Sequence, residues 1–169
     1  MNIADGADVY GYTIFCDDIR LEASGKITYV GAYPQGLMTV HGQFPLVLPR
    51  FGIHFFYFQK RPYVIPPTRI IIATPGNTED NPAIFLDVPQ DGMHEALAQF
   101  DSTHSGDDIE NNRYFLCSSP ATFTNFIITE PGDIRVRAVR GDQFIRLGRL
   151  RVIIDSNYKP PAETKEAAS

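Results

Sequence analysis

The side chains best suited to holding a metal lie in Asp101-Ser-Thr-His-Ser-Gly-Asp-Asp-Ile-Glu110, where Asp101, His104, Asp107, Asp108 and Glu110 offer carboxylates and one imidazole. Oxygen ligands at that density suit a hard cation such as calcium. The spacing is not that of an EF-hand loop, and one histidine makes no zinc pattern. His94-Glu95 is followed by another histidine only at His104, too late for H-E-x-x-H. A solvated surface loop outweighs a metal site, and no cofactor is expected. The best nucleophile is Cys117 in Cys117-Ser118-Ser119, which runs into Pro120 with no histidine near it in sequence, although triad partners need not be local. The chain has no G-x-S-x-G, P-loop or dinucleotide fingerprint. No catalytic residue is assigned and no enzyme is expected.

Asp17, Asp18 and Glu22 form a second acidic group, mixed with Arg20 and Lys26. Adjacent strand residues point to opposite faces, so Asp17 and Asp18 cannot share an ion without a bulge. Pairing of Asp18 with Arg20, and of Glu22 with Lys26 across a turn, is expected instead.

Charge is segregated along the chain. From Asn77 to Asn112 there are nine acids and no Lys or Arg, whereas Pro131 to Asp155 carries six arginines against three acids. The arginine region, with Arg135, Arg137, Arg149 and Arg151 as contact residues, could meet the acidic region within one chain or in another copy. The run Phe51-Gly-Ile-His-Phe-Phe-Tyr-Phe58 is the strongest apolar signal. Phe51, Ile53, Phe55 and Tyr57 share one face and His54, Phe56 and Phe58 the other. The Pro-rich segment 61–67 is expected to fold back over the second face. Left uncovered, Phe56 and Phe58 become an aromatic strip for a partner. A sugar platform ranks lower, because such platforms favour Trp and this chain has none.

These groups must be positioned by strands. Thirteen Pro and thirteen Gly punctuate 169 residues, which suits short strands better than long helices. Strand patterns run over 12–22, 26–33, 50–59, 68–74, 83–87, 113–118, 122–129, 134–140 and 144–154. In Ile134-Arg-Val-Arg-Ala138 the alternation is explicit, with apolar side chains on one face and arginines on the other. The expected fold class is all-β, an antiparallel two-sheet sandwich, with one short helix at 92–100 inside a long loop. Residues 1–10 read as a lead-in, 11–156 as one domain and 157–169 as a disordered tail.

The segment from Glu130 to Gln143, a Pro-Gly turn, an alternating strand and a Gly-Asp turn, resembles the last hairpin of immunoglobulin-like sandwiches. Ile134 stands where such domains usually carry Tyr. Phe15-Cys-Asp-Asp-Ile-Arg20, then Glu22, Gly25-Lys26 and Gly31-x-Tyr33, resembles the opening of a family of small bacterial or phage-borne β proteins with no established activity. That resemblance implies a β domain and carries over no site residues.

The net charge of −5 argues against a nucleic-acid partner. Two cysteines, Cys16 and Cys117, make no disulfide framework. No signal peptide or apolar run of membrane-spanning length is visible, so a cytoplasmic chain, or one built into a virion, is expected. The favoured function is a non-enzymatic interaction module that binds a protein partner or self-associates, with no small-molecule substrate. The alternatives are a structural part of a phage particle or similar assembly, and a metal-dependent binder or enzyme using the 101–110 loop.

Overall fold

Alternation decides the architecture. In the computed structural model, which describes residues 9–60, 67–88 and 114–155, every regular element is a strand. They are β1 (Val9–Cys16), β2 (Asp18–Leu21), β3 (Ile27–Val30), β4 (Leu37–Val40), β5 (Leu46–Lys60), β6 (Arg69–Ala73), β7 (Ile84–Asp87), β8 (Tyr114–Ile128), β9 (Gly132–Arg140) and β10 (Gln143–Ile154). The helix expected at 92–100, the tail 157–169 and the metal candidates Asp101, His104, Asp107, Asp108 and Glu110 lie outside the described residues. No helix among the described residues is long and apolar enough to cross a membrane.

One sheet has the order β1-β5-β8 and a second the order β4-β10-β9-β6-β7, while β2 and β3 form a separate hairpin. All pairings are antiparallel except β4 with β10, which is parallel. The two larger sheets share one core. Phe51, Ile53 and Phe55 of β5 with Ile128 of β8 pack in the same cluster as Ile70 and Ile72 of β6, Ile134 and Val136 of β9, and Leu150 and Val152 of β10. Each sheet thereby buries one face and leaves the other outward.

Two departures from the sequence pattern have clear causes. The strand expected over 12–22 breaks at Asp17. Its amide donates to Val30 O (2.9 Å) and its carboxylate accepts the Tyr33 hydroxyl (2.5 Å). The chain therefore leaves β5 and starts the β2–β3 hairpin, whose turn is closed by the Gly25 amide on Glu22 O (2.9 Å), with Gly25 at φ 79°. The runs expected at 113–118 and 122–129 join into one strand. The β5–β8 ladder is interrupted only between Leu48↔Phe126 and Arg50↔Thr124, where Pro49 and Asn125 fall. Proline has no amide to donate, and Asn125 adopts φ 53°. Across this step the inward set changes parity in both strands. It passes from Leu46 and Leu48 to Phe51 and Ile53 in β5, and from Ile128 and Phe126 to Phe123 in β8.

Candidate functional site

Pairing of β1 with β5 sets Tyr10 opposite Phe58, Tyr12 opposite Phe56 and Ile14 opposite His54. All lie on the outer face, since Phe15, Ile53, Phe55 and Tyr57 point into the core. Tyr10 stacks on Phe58 with centroids 4.6 Å apart, Tyr12 on Phe56 at 4.5 Å, and His54 on Phe56 at 4.2 Å. Tyr114 meets Tyr10 edge-on at 5.2 Å, and Leu116 lies opposite Phe58. The result is a continuous aromatic ladder.

Phe56 and Phe58, expected to form an exposed strip only if left uncovered, are not the exposed part of this face. Both are half-buried beneath tyrosines from the neighbouring strand, and the exposed surface belongs to Tyr12 and Leu116, each 47% accessible. Tyr10, Tyr12 and Leu116 were missed because their partners are far away in the chain. Their only local signal was the Tyr10-x-Tyr12 alternation.

The β2–β3 hairpin covers one end of this face, and the expected fold-back of 61–67 falls on residues of which 61–66 lie outside the described set. Ile19 packs over Gly52, and a Cβ there would come within 2.7 Å of both the Cys16 sulfur and Ile19 Cγ1. The hairpin also brings the Tyr29 hydroxyl to 2.7 Å from His54 Nδ1. His54 Nε2 is buried with no hydrogen-bond partner. Burial holds the imidazole below its usual pKa of 6.5. The unfolded chain therefore takes up this proton first, and folding stability falls as pH drops below about 6.5. Above that pH the contribution is constant. Melting temperatures between pH 5 and pH 8 are expected to show this fall, and His54→Phe is expected to flatten it. An identical profile in the two proteins would rule the imidazole out as its source.

Burial disfavours the thiolate of both cysteines. Burial pushes the Cys16 thiol up to about 11, and its sulfur donates to Asp18 O (3.3 Å). Cys117 lies opposite Tyr57 in β8, packs against the core and is likewise raised by burial. The thiolate is the nucleophilic form, so both shifts work against attack. Asp18 pairs with Arg20 (3.2 Å), as expected, and also with Arg50 (3.0 Å). Glu22 meets Lys26 across the turn through its amide, which donates to Lys26 O (2.8 Å), while its carboxylate accepts from the Thr28 hydroxyl (2.8 Å). Among the described residues no three His, Cys, Asp or Glu side chains are placed to hold one ion.

The outer face of the second sheet is basic. Arg137 lies opposite Arg146, and Arg135 opposite Arg149, across the β9–β10 ladder. The register shifts between Arg146 and Gly148, so that Leu147 is an added residue. Leu147 and Gly148 both turn inward, toward β1, and Arg146 and Arg149 flank the arch on the outside. These arginines and Asp133 line an open cleft of about 480 Å³. Glu79 approaches Arg137 (3.1 Å) and Arg135 (3.8 Å), so part of the segregated charge closes within one chain. Arg151 grips Asp133 through two bonds (2.5 and 3.1 Å), and Arg149 stands 3.9 Å from the same carboxylate. The Arg151 bond holds the Asp133 carboxyl below the ordinary carboxylate range. The four contact residues expected from sequence, Arg135, Arg137, Arg149 and Arg151, thus share one face. Arg146 belongs with them.

No protein-family model matches the chain, and no curated protein matches it.

Proposed function

We propose that this chain is an immunoglobulin-like sandwich acting as an interaction module, and that it joins a second copy of itself through the aromatic face of β1-β5-β8. The topology supports the fold assignment. Read in chain order, β1-β5-β8 corresponds to strands A, B and E of such a domain, and β10-β9-β6-β7 to G, F, C and C′. On that reading the β2–β3 hairpin is an insertion between β1 and β4.

The observation that carries the function is the aromatic ladder on an outward sheet face. Stacked rings with an exposed Tyr12 and Leu116 present apolar area that water does not favour. Lys60 stands at the end of this stripe, opposite Tyr114. A two-fold axis through the stripe would set ring against ring and send the two lysines to opposite ends, so the surface suits itself.

Light scattering coupled to size exclusion, over a range of concentration at low and high salt, tests this. The expected result is a dimer that forms with rising concentration and is indifferent to salt. Tyr12→Lys combined with Leu116→Lys is expected to leave a monomer with an unchanged circular dichroism spectrum. A monomer at every concentration would sink the idea. So would an oligomer that salt dissolves, which points to the arginine face instead.

A further inference from the structure

We propose that the arginine cleft between β9 and β10 binds a multiply charged oxyanion, the pyrophosphate group of a small phosphorylated ligand. It lies on the opposite sheet from the aromatic ladder and does not depend on the function assigned there.

The first ground is that the arrangement works against folding. Arg146 with Arg137, and Arg149 with Arg135, are like charges directly across a ladder. Such pairs are destabilising in a sheet. Glu79 and Asp133 offset part of that repulsion. Arg146 has no ion pair among the described residues, and Arg135 Nε is buried without a hydrogen-bond partner. Surplus positive charge therefore converges on one cleft, which the exposed Arg146 and Arg149 line.

The second ground is shape. An uninterrupted strand would alternate its side chains, whereas the bulge turns Leu147 and Gly148 inward together and spreads Arg146 and Arg149 on either side of an arch. Guanidinium groups are planar forks that bond phosphate oxygens two at a time. The two cross-strand arginine pairs stand on either side of the Val136–Gly148 step. Arg137 is held by Glu79 and the Val136 carbonyl and Arg135 by the Asn77 carbonyl, so the exposed Arg146 and Arg149 are the forks that two linked phosphates would meet.

The third ground is what lies beside it. Past the Arg137–Glu79 pair, the same sheet face opens into a second cleft of about 320 Å³ that includes Ile71, Val139, Phe85 and Phe144. Phe85 and Phe144 are both largely exposed. A ring attached to the phosphates would lie there. The shared chemistry is the oxyanion, whether free or carried by a nucleotide.

Isothermal titration calorimetry of the full chain with pyrophosphate and with ADP separates these sources. Binding of either is the expected result. Tighter binding of ADP assigns the Phe85–Phe144 cleft to the base, and equal affinity assigns the site to the oxyanion alone. Arg146→Ala with Arg149→Ala is expected to raise the dissociation constant by about tenfold or more, since charge-assisted bonds are lost. The same variant is expected to melt no lower than the parent, because a repulsion has been removed. Arg146→Lys, which keeps the charge and loses the fork, should fall between. Absence of binding by both ligands overturns the proposal, as does a double variant that binds as the parent does. Loss of self-association in that variant, with no anion binding by the parent, would give the face to protein contacts and also overturn it.

Discussion

Phe51→Ala is expected to lower folding stability by about 3–5 kcal/mol, among the largest losses a single core truncation gives. The ring is fully buried and lies 4.9 Å from Phe126 and 6.3 Å from Phe15, so it ties β5 to both of its neighbours. Its position also makes it a test of the step at Pro49. Had β5 kept the parity of Leu46 and Leu48, residue 51 would face outward, and its truncation would cost little. Chemical denaturation is the measurement, with the midpoint moving and the slope unchanged. A loss under about 1 kcal/mol would mean that the strand does not change faces there.

Gly148→Val is expected to be nearly as damaging, by overpacking. Gly148 lies opposite Val136 and faces β1, where a Cβ would come within 2.5 Å of Thr13 Cβ and 3.3 Å of the Phe15 ring. Gly11 on β1 makes the reciprocal approach toward Leu147. The two sheets close here with each glycine making room for a side chain of the facing strand, Thr13 over Gly148 and Leu147 over Gly11. Forcing a branched side chain into such a contact costs about 1–3 kcal/mol and occasionally more. Thermal melting is expected to show the loss, and adding Thr13→Gly to recover part of it, since the two positions are in contact and should not behave additively. If the second change brings no recovery, the close approach of β1 and β10 is not the cause.

Much of this fold was legible where a pattern is local. Alternation in Ile134–Ala138, the turn between Glu22 and Lys26, and the inward set Phe51, Ile53, Phe55 and Tyr57 all follow from period-two geometry and turn chemistry. Pairing of Asp18 with Arg20 needed only two positions on one face of a strand. What escaped is non-local. β4 has four residues and its partner is β10, far away in the chain and parallel, so nothing near Leu37 announces a strand. The joining of two expected runs into β8 depends on Asn125 adopting φ 53°, which has no signature in hydrophobic periodicity.

The sites divide in the same way. Arg135 and Arg137 were visible as outward residues of an alternating strand. Arg146 entered the cleft only through the bulge at Leu147, which breaks the alternation that would otherwise have placed it. Tyr12 joins the aromatic ladder because β1 pairs with β5, a fact outside the reach of either segment alone.

The place of β10 has a consequence for how the molecule is made. This strand is the last of those described, yet it sits between β4 and β9, and Met38 and Val40 of β4 are buried in the core it completes. As the chain leaves the ribosome, β1, β5 and β8 can pair while β10 is still unsynthesised. β4 emerges early and must wait, its apolar side uncovered, until Arg151–Ile154 arrive to pair with it. The five-stranded sheet is thus finished from its middle, and its completion is timed by translation of β10, which follows its other four strands in the chain.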